Sequence, residues 1–233
     1  MKYVRLNITT EGPSEMEFAK KYLSEYLAPF GVVVDARSVM TSKNRFKKYR
    51  GGLSSYERVK NDVLNWIKEE SKNEGVFFTT MFDLYALPND FPNFEASLKQ
   101  KNPYTRIEFL EKSLSDDINV RNFIPYLQLH EFETLLLANP KNLAVEYDNA
   151  EAKIQQLEHL LSTHQGNPEL INTGTETAPS KQIIKLIPEY KGNKVTVGVH
   201  LAGFDGIGFL KQKCPHFDKW VTKLEQLSLQ KNS

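Results

Sequence analysis

A chain of 233 residues, 40% hydrophobic and 25% charged, has the length of one α/β unit with additions and the composition of a globular protein with a real core. A formal net charge of +1 excludes no function class and does not indicate a globally basic nucleic-acid binder, so any such role rests on local patches. The single Cys214 excludes an intramolecular disulfide; with no basic-then-apolar leader and no run near the roughly 18 apolar residues of a membrane span, the sequence predicts a cytoplasmic protein without membrane contact.

In chain order, Tyr3 to Thr9 reads as a strand. Thr10-Glu11-Gly12-Pro13-Ser14-Glu15 then turns into a helix, with Ser14 the expected N-cap and Glu15 and Glu17 favourable in its first turn. Phe18, Tyr22, Leu23, Tyr26 and Leu27 form its apolar stripe, and Pro29 and Gly31 stop it. A second strand runs from Val32 towards Val39. The stretch 41–52, TSKNRFKKYRGG, carries Lys43, Arg45, Lys47, Lys48 and Arg50 without an acid and with Phe46 and Tyr49 interleaved. Such a loop suits a phosphate backbone, and equally a solvated surface.

Ser54 or Ser55 caps the next helix, whose inner face is Val59, Val63, Leu64 and Ile67. Val76 to Phe82 is an apolar run of the length and β-branched, aromatic composition of a strand buried on both faces, and it ends on Asp83. A turn-rich segment, 87–94, precedes an amphipathic helix from Tyr104 to Leu114. A strand from Phe123 to Leu129 leads through His130-Glu131-Phe132-Glu133 into a helix expected to reach Leu137. The alternation predicts an α/β fold: a mainly parallel sheet of at least four strands flanked by helices. Residues 1–140 form this core, and 141–233 a helical C-terminal extension packed on it within one domain. Ala150 to His164, Ile183 to Ile187 and Lys219 to Leu229 are its helices, and Gly203 to Gly208 lacks the spacing of a dinucleotide fingerprint.

Three strand ends thus deliver Glu11, Asp83 and the pair Glu131 and Glu133 to one sheet edge, where ligands bind in open α/β sheets. Clustered carboxylates repel unless a cation or a shared proton intervenes, and hard oxygen donors without cysteine pairs favour Mg²⁺ or Mn²⁺. One of Glu131 and Glu133 is expected to face the site and the other outward. Lys181 is placed to contact phosphate, Ser180 to cap its helix, and His130 to serve as ligand or as structural hydrogen-bonding residue.

A strand, Glu-Gly, a helix, and an Asp ending the third strand resemble a TOPRIM domain, the Rossmann-like fold shared by topoisomerases, primases and nucleases of the overcoming-lysogenisation-defect type. The resemblance implies Glu11 as general acid/base and Asp83 as Mg²⁺ ligand. Tyr85 stands where the second Asp of the usual Asp-x-Asp belongs, and Glu131 or Glu133 is the available replacement. EGPSE, Gly51-Gly52, TTMFDLYALPNDFP, IPYLQLHEFETLLL, INTGTETAPSK and CPHFDKW together resemble the bacterial domain-of-unknown-function family 4276. That resemblance implies a TOPRIM-like fold, an ATPase partner and a phage-defence or mobile-element setting. Two functions follow. The first is a Mg²⁺-dependent nuclease or nuclease subunit, with Glu11, Asp83 and Glu131 or Glu133 binding the metal, Arg45, Lys47, Lys48, Arg50 and Lys181 holding DNA or RNA, and Tyr85, His130 and Ser180 around the carboxylates. The second is a degenerate scaffold that binds nucleic acid or an ATPase without cleavage.

Overall fold

The computed structural model of the chain describes residues 3–39, 53, 55–171, 174 and 177–230. β1 (Val4–Thr10) leads into α1 (Pro13–Phe18), which continues through a π-helical turn (Ala19–Leu23) into α2 (Ser24–Leu27). Gly31, at φ 74, supplies the left-handed turn that releases the chain into β2 (Val32–Ser38). α3 (Tyr56–Glu69) crosses back to β3 (Val76–Asp83). After α4 (Phe94–Ser97) and α5 (Pro103–Ile118) come β4 (Phe123–Ile124) and β5 (Leu127–Gln128).

The sheet order is β2-β1-β3-β4, with β5 also paired to β3, and every pairing is parallel. The anticipated α/β architecture is therefore present. The strand expected over 123–129 is divided, because Pro125 has no N–H to give the ladder. Register is kept across the gap: Thr79 lies opposite Ile124, and Phe82 opposite Leu127. The Thr80 hydroxyl fills the break, accepting from the Tyr126 N–H at 3.0 Å and donating to the Tyr126 carbonyl at 2.9 Å.

β3 is buried along its length up to Asp83, because each face carries its own core. On one face Leu6, Ile8, Phe77 and Met81 pack with Phe18 and Leu23. The same core takes Phe217, Trp220, Val221 and Leu224 from the C-terminal region. On the other face Phe78 and Phe82 pack with Val59, Val63 and Trp66 of α3 and with Ile107, Leu110 and Leu114 of α5. Burying each such side chain contributes about 1.5–3 kcal/mol. Trp220 donates its indole N–H to Thr79 Oγ1 at 3.0 Å and stacks on Tyr126 at 4.0 Å between ring centroids. Trp66 meets Phe78 edge-on, and the Arg37 guanidinium lies 4.1 Å above its ring.

Beyond residue 140 the described elements are helical: α6 (Glu151–Thr163), α7 (Pro179–Leu186), α8 (Val199–Gly203), α9 (Ile207–Lys213) and α10 (Pro215–Glu225), joined by 3-10 and π turns. The helix expected from Glu131 to Leu137 is instead two short 3-10 turns, Phe132–Thr134 and Leu136–Ala138. Glu131 is still extended and Asn139 leaves helical geometry just ahead of Pro140, so the room for an α-helix is too short. No described helix is long and apolar enough to cross a membrane.

Candidate carboxylate site at the strand ends

The register brings the acids together. Thr10 lies opposite Met81, so Glu11 follows within one residue of the level of Asp83. The Asp83 N–H donates to Glu11 Oε2 at 3.3 Å, and the Glu11 N–H donates to the Met81 carbonyl at 3.2 Å. Thr10 and Ser38 both donate hydroxyls to the Gly12 carbonyl, at 3.1 and 2.9 Å, and so pin the turn that presents Glu11.

The same turn contributes an acid that the sequence reading set aside as helix chemistry. Gly12, not Ser14, is the N-cap of α1, with Pro13 in the first turn. Its N–H donates to Glu15 Oε2 at 3.0 Å, folding the Glu15 carboxylate back over the helix N-terminus towards the strand ends. Glu15 is only 5% exposed.

From the β5 end come Glu131 and Glu133. Neither is exposed, as one of them was expected to be: Glu131 is half-buried and Glu133 buried. Glu133 is 6% exposed; its Oε1 accepts from the Tyr190 hydroxyl at 3.3 Å and pairs with Lys194 Nζ at 2.9 Å. Glu131 Oε1 accepts the backbone N–H of Ser180 in the first turn of α7. Ser180 is therefore not the cap its hydroxyl suggested; Glu131 caps α7 from outside, where the helix dipole favours an anion.

Few donors answer these carboxylates, and the consequence is electrostatic. Burial, and then the Glu15 charge, raise the Glu11 carboxyl from 4.5 to about 8. Burial raises Glu15 to about 7, with Glu133 adding to it against the Gly12 hydrogen bond. Asp83 is pushed well above the carboxylate range by burial and then by Glu11, Glu15, Glu133 and Glu131. Glu131 is raised by burial and by Glu133. Asp83 Oδ1 is buried and has no hydrogen-bond partner among the described residues.

These donors fit a hard divalent cation: all are carboxylates, they share more negative charge than they tolerate, and Asp83 Oδ1 is unpaired. Among the described residues, however, no three His, Cys, Asp or Glu side chains already stand in a metal-holding arrangement. Lys194 supplies positive charge on the Glu133 side.

Of the remaining anticipated residues, Tyr85 and His130 lie beside this group. Tyr85 follows Asp83 in a 3-10 turn, donates its N–H to the His130 carbonyl at 3.0 Å and packs its ring 5.5 Å from the His130 ring. His130 adopts φ 66, and burial lowers it to about 4, so its ring is neutral. Its Nε2 lies 2.8 Å from the Glu169 carbonyl, which only accepts, so Nε2 carries the proton and the ring is tied to the Glu169 backbone. Lys181 is exposed on α7. Arg45, Lys47, Lys48 and Arg50 lie outside the described residues.

Comparison with curated proteins and with solved structures finds no match. A family model does match, over residues 10–225, from the Glu11 turn through α10. The chain belongs to the family described as a domain of unknown function, DUF4276.

Proposed function

We propose that the chain is a divalent-metal-dependent phosphodiesterase of TOPRIM type, a nuclease or nuclease subunit that works with an ATPase partner. One observation carries this reading: Glu11, Glu15, Asp83, Glu131 and Glu133 lie together beyond the ends of parallel strands, and burial among one another's charges raises the proton affinities of Glu11, Glu15, Asp83 and Glu131. Glu11, raised to about 8, holds a proton at pH 7. Its Oε2 accepts the Asp83 N–H, so the proton sits on Oε1 and is available as a general acid. In hydrolysis the oxygen of water bonds to phosphorus, the ester P–O bond breaks, the departing oxygen takes the Glu11 proton, and the proton released by the attacking water restores the Glu11 carboxyl. Asp83, Glu131 and Glu133 are the residues that hold Mg²⁺ or Mn²⁺, which when bound offsets the shared charge and polarises the phosphate. Lys181 and the basic residues Arg45, Lys47, Lys48 and Arg50 hold the nucleic-acid backbone.

Incubation with plasmid and single-stranded DNA, with and without Mn²⁺, tests the reading. Cleavage is expected to require Mn²⁺ and to be lost in Asp83→Asn. Metal should also raise the melting temperature of the wild type, since binding to the folded state alone adds about 2.7 kcal/mol at a hundredfold excess over Kd. Absence of both effects, or their survival in Asp83→Asn, overturns it.

A second reading, a scaffold that binds without cutting, is favoured by Tyr85 in place of an acid and by Lys194 already bonded to Glu133. Under it metal leaves the melting temperature unchanged. Nucleic-acid binding nonetheless loses salt dependence, by about 0.9 in log–log slope per duplex contact, when Lys47, Lys48 and Arg50 are changed to Ala.

A further inference from the structure

Beside the acidic site lies a cavity of opposite character, about 540 Å³ in volume, with no acid among its described lining residues. It begins one residue beyond Asp83, at Leu84, and reaches His130, the residue before Glu131. Tyr85 and Phe94 give it aromatic surface, Leu98 gives aliphatic surface, and Lys101 and Arg106 give positive charge. Arg106 is half-buried, donates Nε–H to Ser97 Oγ at 3.4 Å and sits 5.9 Å from the centre of the Phe94 ring. Among the described residues no carboxylate lies within salt-bridge distance of it. A guanidinium held against a ring, with no counterion among the described residues, suits a planar anion or a phosphate. His130 gives the wall a buried Nδ1 acceptor that has no partner among the described residues.

We propose that this cavity binds a nucleotide, with the base against Tyr85 and Phe94 and the phosphate at Arg106 and Lys101. Rings, aliphatic wall and paired cations match the two halves of such a ligand, and the volume is in the range of small-molecule sites. The proposal rests on the phosphodiesterase reading for its choice of ligand. It also suggests how a polyanion approaches five acids: the neighbouring cavity supplies the attraction that the carboxylates lack. The nucleotide comes either free or as one unit of a strand whose phosphodiester lies at the acids.

The test uses the full chain and two variants, Arg106→Gln and Leu98→Trp. Leu98 is 54% exposed, so the larger ring there fills the cavity mouth rather than the core. Circular dichroism and melting curves establish that each variant is folded. Calorimetric titration with AMP, GMP, CMP and UMP is compared with ribose 5-phosphate and inorganic phosphate, and anisotropy is read with a labelled single-stranded oligonucleotide. A mononucleotide that binds about tenfold or more tighter than ribose 5-phosphate, and about tenfold weaker in both variants, supports the free form. Oligonucleotide binding weakened in both variants without measurable mononucleotide binding supports the strand form. Binding of neither probe, equal binding of ribose 5-phosphate, or binding insensitive to both substitutions overturns the proposal. Cleavage is scored separately: variant-sensitive binding without cleavage sinks the nuclease reading alone, and cleavage with variant-insensitive binding sinks the cavity alone.

Discussion

Glu169 and Asp83 are both acids drawn into the protein, and their surroundings are opposites. Glu169 is 0% exposed, yet its carboxylate accepts the N–H groups of His216 and Phe217 at 2.9 and 3.1 Å, in the first turn of α10, and the Tyr104 hydroxyl at 3.0 Å. Burial raises its proton affinity, but two helix N–H groups, His216 and Tyr104 all oppose the rise. Asp83 has acids for neighbours and an oxygen without a partner. The first arrangement clips a helix to the body of the molecule. The second is tolerable only if something else binds there. Depth of burial does not separate a structural acid from a functional one; unanswered charge does.

The largest effect expected from this contrast is in Glu169→Ala. It strands two buried N–H groups, each costing about 1–3 kcal/mol, so urea unfolding should show a loss of about 3–5 kcal/mol. The comparison breaks if Asp83→Ala costs as much. Asp83→Asn should have the opposite sign: without metal at pH 8 it removes the cost of holding a buried carboxyl among other acids, and raises the melting temperature. In a chain of this size each kcal/mol corresponds to about 2–4 °C. A lower melting temperature under those conditions would show that Asp83 is structural after all.

The same repulsion sets the pH dependence. Glu11 and Glu15 have folded-state values of about 8 and 7, above the ordinary 4.5, so between those limits the folded chain binds more protons than the unfolded one. Their stabilising share is present below pH 4.5 and lost as pH rises through 7 and 8. Melting temperature in metal-free buffer should therefore fall from pH 5 to pH 9, and Glu11→Gln should flatten the upper part of that fall. A flat wild-type profile would contradict the buried, mutually repelling arrangement. The smallest effect is in Gly12→Ala. The added Cβ would meet Glu15 Oε2 at 3.2 Å on an extended backbone, at a cost under about 1 kcal/mol. It sharpens the comparison by shifting the titration of Glu15, followed by NMR, while leaving Glu169 untouched.

Much of this was legible in the residues. An apolar run as long as Val76–Phe82 has few alternatives to a doubly covered strand, and Glu11 and Asp83 follow from where strands stop. Glu131 and Glu133 were found for the right place but in the wrong local structure, because Pro125 and Pro140 leave no length for a full strand and a full helix around them. Glu15 was missed as a site residue because an acid three positions into a helix ordinarily reads as a cap. It is a cap here, and the cap hydrogen bond is what aims it at the other acids. Tyr190 and Lys194 had no signal, since their meeting with Glu133 joins residues more than fifty positions apart through packing that periodicity does not encode.

The two cores give the protein a pair of built-in optical probes. Its two tryptophans touch adjacent residues of β3 from opposite sides: Trp66 lies against Phe78, and Trp220 bonds to Thr79. Their surroundings differ, one ring beneath a guanidinium and the other stacked on Tyr126, so their emission differs in wavelength and quenching. Trp66→Phe and Trp220→Phe each leave one fluorophore, and each remaining signal follows a single layer. If the layers separate together, the two unfolding curves superimpose; if the helical C-terminal face loosens first, the Trp220 signal leads.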